Sequence, residues 1–154
     1  MTNHTASDIA KWFLRRNKSE MDFHEAEYMS HLKLQKLLYY AQGIYLAFYN
    51  KPLFREDIFA WAHGPVVEEV YQEYKRYGSR GIIKFYPPVE TYTEEEEKTL
   101  EMVFDYFGKY SACGLRNMTH QERPWKETEK NDLISTELIR DFFLEEYVED
   151  EPEN

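Results

Sequence analysis

The stretch from His31 to Tyr49 constrains the fold more than any other part of the chain. Leu34, Leu37, Leu38, Ala41, Tyr45 and Phe48 recur at helical spacing, and Tyr39, Tyr40, Ile44 and Leu46 fill much of the remaining circumference. A helix that is apolar nearly all round is buried on several sides. The chain must then supply further helices to surround it. This predicts a compact, mostly α, multi-helix single domain over residues 1–154, built around a central hydrophobic helix at about residues 31–49. Ser30 is placed to cap its start, and Asn50-Lys51-Pro52 to end it. The most apolar part, Leu37 to Tyr49, contains Gln42 and is too short to span a bilayer.

Caps and stops mark the surrounding elements. A first helix is expected from Thr5 to Asn17, with Ile9, Trp12 and Phe13 as its stripe. Thr5-Ala6-Ser7-Asp8 resembles a capping box with Asp in place of Glu or Gln. Asn17 to Tyr28 reads as a loop. An extended piece at Ile58 to Trp61 has a possible short strand at Ile82 to Phe85 as its natural partner, so a strand pair or short β-hairpin is expected. Pro65 suits the first position of a helix carrying Val66, Val67, Val70, Tyr71 and Tyr74 and stopped by Gly78. Thr93-Glu94-Glu95-Glu96 opens another helix, on Leu100, Val103, Phe104 and Phe107, which ends at Gly108. Ser111 caps a short helix to about His120, which Pro124 cannot continue. Ser135 caps a last helix with Leu138, Ile139, Phe142 and Phe143 inward. The acidic tail from about residue 148 to 154 is expected to be disordered.

Charge narrows the function. Lys and Arg number 19 against 29 Asp and Glu, a formal charge of −10. Duplex binders carry a basic face, so this balance opposes nucleic acid and favours a basic partner. A local basic set, Arg15, Arg16, Lys18, Lys33, Lys36 and Lys51, sits beside Tyr39 and Tyr40, but those tyrosines belong to the helix expected to be buried. The single Cys113 suits a reducing compartment, and Met1-Thr2-Asn3-His4 lacks a signal-peptide pattern. A cytoplasmic protein with no membrane partner is expected.

No set of residues supplies a complete catalytic or metal site. Cys113 and His4, His24, His31, His63 and His120 form no CxxC, HxxxH or HExxH. Cys113 and His120 could share a helix face, but nothing orients the histidine as a base. No glycine pattern of a phosphate loop occurs. A small hydrolase or nuclease is therefore disfavoured. No catalytic residue, cofactor or metal is expected.

Three blocks carry a family resemblance. Lys33-Leu34-Gln35-Lys36-Leu37-Leu38-Tyr39-Tyr40-Ala41-Gln42-Gly43 is the first. Lys51-Pro52-Leu53-Phe54 with Ala60-Trp61-Ala62-His63-Gly64-Pro65-Val66-Val67 is the second. Ser111-Ala112, Leu115 and Thr119-His120-Gln121-Glu122-Arg123-Pro124-Trp125 form the third. In this order they resemble the Panacea domain family, which includes SocA-like and phage-associated GepA-like proteins. The resemblance implies an antitoxin that neutralises a cognate protein toxin by direct binding, the toxin being encoded by an adjacent gene. One branch of that family acts instead as an adaptor that delivers a toxin to a AAA+ protease. The chain departs from many relatives at Ile44, where Trp is common, and at His63, where Tyr or Asn is frequent.

Partner-binding candidates come from these blocks. Lys33, Gln35 and Lys36 are polar positions in a greasy helix, and a polar stripe there needs somewhere to go. Tyr40 lies beside them. Trp61 and Trp125 combine a large apolar area with an N–H that wants a partner. His63 precedes the Gly-Pro turn, and Thr119 and His120 close a helix.

Overall fold

The central helix forms where its periodicity places it. The computed structural model describes residues 4–23, 27–84, 86–87 and 90–148, and helix α2 spans His31–Tyr49. Ser30 caps it by accepting a hydrogen bond from the Lys33 N–H, and Asn50 ends it in the left-handed conformation, φ 54°. Every residue from Leu34 to Leu46 is buried. Each fully buried leucine among them contributes about 1.5–3 kcal/mol relative to exposure.

Six further helices among the described residues pack around α2 or its neighbours: α1 (Ala6–Phe23), α3 (Glu68–Tyr74), α4 (Glu94–Phe107), α5 (Ala112–His120), α6 (Arg123–Lys126) and α7 (Thr136–Glu146). α4 and α7 make the most extensive contacts with α2. No helix among the described residues is long and apolar enough to cross a membrane.

The caps expected from sequence are present. Thr5 and Asp8 form a reciprocal box: the Thr5 N–H donates to Asp8 Oδ2 at 2.9 Å and the Asp8 N–H to Thr5 Oγ1 at 3.1 Å. Thr93 and Glu96 do the same for α4. Ser111 and Ser135 cap α5 and α7.

Three local expectations are corrected. α1 does not stop at Asn17 but runs to Phe23, because Arg16–Glu20 and Lys18–Asp22 pair along it at i,i+4. The Ile58 region does not pair with Ile82. Strand β1 (Phe59–Trp61) turns back on β2 (Gly64–Val66) as an antiparallel hairpin, and residues 131–134 run along its other edge. Ile82 instead donates its N–H to Met29 O, and Phe85 lies outside the described residues. Pro65 is not helical but faces Ala60 in β2, where its missing N–H is harmless because Ala60 directs its own N–H and C=O to Asp132 and Asn131. The helix begins three residues later, at Glu68. α5 ends at His120, as Pro124 requires, and Pro124 lies in the first turn of a short additional helix, α6. Beyond Val148, the acidic tail lies outside the described residues.

The α2–α7 contact depends on a glycine. A Cβ built on Gly43 would lie 2.3 Å from the Phe143 ring, so the helices meet this closely only because position 43 carries no side chain. Gly43→Ala should destabilise the fold by about 1–3 kcal/mol, the range for overpacking a tight core. This would outweigh the roughly 1 kcal/mol that alanine normally gains over glycine inside a helix. Chemical denaturation checks it, and a stabilised variant would contradict the packing.

Candidate functional site

The polar residues of α2 act as docking points for chain segments that return to it. Gln35 grips Val67 at both backbone groups: its Nε2 donates to Val67 O at 3.1 Å and its Oε1 accepts from the Val67 N–H at 2.8 Å. Two turns on, Gln42 repeats the device, donating to Phe54 O and accepting from the N–H groups of Leu53 and Phe54. Each amide stands in for a strand edge, and so satisfies backbone groups that burial would otherwise leave unpaired. Lys33 Nζ donates to Gly108 O, just beyond α4, at 2.5 Å. Burial holds its ammonium below the usual lysine range, with Glu27 partly opposing the shift.

Lys36 lies deepest. It is 1% exposed, and its one hydrogen bond among the described residues is a long one, 3.4 Å, to Pro65 O. Burial, with the like charge of Arg116, pushes it down to about 7. Gly64 covers it with φ 119°, a conformation that favours glycine. A Cβ there would meet Lys36 Cε at 2.7 Å and Thr119 Oγ1 at 2.9 Å. The hairpin thus crosses over Lys36 and Thr119 at the one residue that leaves them room.

Above this crossing the chain presents an aromatic face. Trp125 Nε1 donates to Trp61 O at 2.7 Å, and the Trp125 ring stacks on His120 at 3.9 Å. Lys130 Nζ lies over the same indole, 5.0 Å from its centroid. His120 is held by a backbone hydrogen bond with Ala62, while burial and then the charges of Arg116 and Lys36 lower its pKa. His63 stands exposed at the hairpin tip.

A second buried group lies on the other side of the α5–α6 joint. Glu122 accepts hydrogen bonds from Tyr39, Tyr40 and Tyr147 at 3.0, 3.1 and 2.5 Å. Burial raises it to about 7 even though these three bonds favour the carboxylate.

Residues 34–126, from α2 through α6, match the family model described as "Antitoxin SocA-like, Panacea domain". The chain belongs to the SocA-like Panacea domain family. No curated protein and no solved structure matches it. The matched span contains α2 from Leu34 onward, the hairpin and the α5–α6 joint, and so takes in Gln35, Lys36, Gly64, His120, Glu122 and Trp125, while Lys33, Lys130 and Tyr147 lie outside it. At the family level the role is that of an antitoxin.

The nine sequence candidates fall into two groups in this Panacea domain. Trp61, His63, His120 and Trp125 lie on the hairpin and the α5–α6 joint, where His120 stacks on Trp125, Trp125 bonds the Trp61 carbonyl and the Trp61 ring packs on Tyr71. Gln35, Lys36, Tyr40 and Thr119 are buried, and Lys33 is half-buried beside α4. Thr119 donates to Arg116 O within its own helix, and Tyr40 stacks on Phe107 at 3.9 Å while reaching Glu122. His120 stands in the last turn of α5 and its ring packs on Trp125. Sequence reasoning missed Arg116 and Glu122. Glu122 stands inside a quoted block, but its tyrosine partners lie up to 83 positions away. Among the described residues, His4, Asp8 and Glu90 bring ligand atoms within 4.8 Å of one another. His4 is bonded to Glu96 and Asp8 caps α1, so two of the three are already engaged.

Proposed function

We propose that this Panacea domain is the antitoxin of a toxin–antitoxin pair and neutralises a cognate protein toxin by direct binding in the cytoplasm. The family match across α2 to α6 carries this reading. Trp61, His63, His120 and Trp125 form the contact face. The rings of Trp61, His120 and Trp125 are held by stacking and hydrogen bonding, so little of their side-chain freedom remains to be lost on association. Tryptophans in such settings are frequent hot spots. The −10 charge suits a basic toxin and would speed encounter with it.

A binding role also agrees with where the reactive groups lie. Cys113 is exposed near the start of α5, whereas His120 ends the helix and is stacked on Trp125. The chain should therefore neutralise by contact, with no turnover.

Co-expression with the adjacent gene tests this. The neighbour alone should arrest growth, this protein should restore it, and the two should co-purify as a stable complex. A toxic neighbour that this protein neither rescues nor binds would contradict the proposal.

A further inference from the structure

A cluster of basic groups without counter-charges surrounds Lys36. Neither Lys36 nor Arg116 takes part in an ion pair among the described residues. The charge of Lys36 bears on His31 and His120, and that of Arg116 on both Lys36 and His120. Three buried nitrogens in this neighbourhood, His31 Nδ1, Arg116 Nε and His120 Nε2, have no hydrogen-bond partner among the described residues, and of the three side chains Arg116 lines the space beside Lys36. In a chain of net charge −10, a lysine and an arginine set together with no carboxylate partner among the described residues require a reason.

The space beside them supplies one. A cavity of about 410 Å³ opens between the start of α2, the hairpin tip and α5. Lys36, His63 and Arg116 line it together with Leu32, Ala112 and Cys113. Apolar walls lower the local dielectric and strengthen the pull of a buried cation on an entering anion. A dissolved oxyanion fits this space, and so does the carboxylate of an acidic side chain.

We propose that this cavity is an anion-binding site in which Lys36 and Arg116 take a small oxyanion, with His63 at its mouth. The bound anion would accept hydrogen bonds from the Lys36 ammonium and the Arg116 guanidinium and would relieve their mutual repulsion. Lys36 would then keep its proton at neutral pH. The site does not depend on the antitoxin reading and exists with or without a toxin.

Titration of the full chain with inorganic phosphate, and separately with acetate, at constant ionic strength tests the site by calorimetry and by backbone amide shifts. Phosphate should give a saturable response at millimolar concentration, centred on residues 30–36, 63–64 and 112–116. Lys36→Met should abolish the response, and Arg116→Gln should weaken it tenfold or more. A response to phosphate alone would assign the site to dissolved phosphate-class anions. A response to acetate as well would assign it to carboxylates, such as an acidic side chain carries. No saturable response to either anion, or equal responses in wild type and both variants, would overturn the proposal. Arg116→Gln is the second variant because the Arg116 Nε has no bond within the fold to lose.

Discussion

Glu122→Ala is expected to destabilise the protein by about 2–6 kcal/mol, the cost of leaving two buried hydroxyls without an acceptor. The reason is geometric. Three tyrosine hydroxyls, from α2 and the end of α7, converge on one carboxylate that is 7% exposed. Alanine would leave the hydroxyls of Tyr39 and Tyr40 buried without an acceptor. Each such orphan costs about 1–3 kcal/mol. Glu122→Gln keeps one acceptor and should lose less. The pH dependence carries a sign. Glu122 releases its proton near 4.5 when unfolded and at about 7 when folded. Between those values the folded state holds more protons, so stability contributed by Glu122 is present below 4.5 and lost as pH rises through 7. The slope is at most roughly 1.4 kcal/mol per pH unit. Glu122→Gln should remove it. A parallel pH profile in wild type and Glu122→Gln would contradict the assignment.

Lys36→Met should act in the opposite direction and stabilise the protein by about 1–4 kcal/mol at neutral pH, as replacing buried charge by an apolar group of similar size often does. Lys36 sheds its proton at about 7 when folded and near 10.5 when unfolded. Between those values the unfolded state binds more protons. Wild-type stability should therefore gain up to roughly 1.4 kcal/mol per pH unit from 7 towards 10.5, a gain absent from Lys36→Met. The two denaturation curves should converge at alkaline pH. A Lys36→Met protein less stable than wild type at pH 7 would show that the ammonium is satisfied in the fold. A lysine kept at a cost to stability points to a task at that position, as a binding group for an anion would have.

Much of this architecture is legible in the sequence, for identifiable reasons. α2, α4, α5 and α7 announce themselves because period and cap agree: an apolar 3.6-residue stripe begins directly after Ser30, Thr93, Ser111 or Ser135. The last turns of α1 carry no apolar stripe, so periodicity stops short of Phe23, and it is the i,i+4 charge pairs that extend the helix. Pro65 is compatible with a helix start by local rules, and the alternative needed knowledge of residues 131–134, which occupy the far edge of β1. Trp61, His120 and Trp125 are legible as residue types but their contacts are not, since a hairpin and a helix end must meet before Trp125 can stack on His120 and bond the Trp61 carbonyl. Gln35 shows the same limit from the other side. A buried amide that clamps a backbone looks, in sequence, like a polar residue free to bind a partner.

The contact face itself can be tested with three point variants and the cognate toxin. His63→Glu changes an exposed tip residue, Trp125→Ala removes the central indole, and Phe48→Ser alters an exposed residue at the far end of α2. At about 1.5 Å per residue, position 48 lies roughly 18 Å along the helix from Lys36. The dissociation constant for the toxin should rise tenfold or more for His63→Glu and for Trp125→Ala, a loss of about 1.4 kcal/mol or greater. Phe48→Ser should bind as wild type does, and circular dichroism should show all three folded at the temperature of measurement. Unchanged affinity in His63→Glu and Trp125→Ala, with the loss falling on Phe48→Ser instead, would place the toxin elsewhere on the molecule.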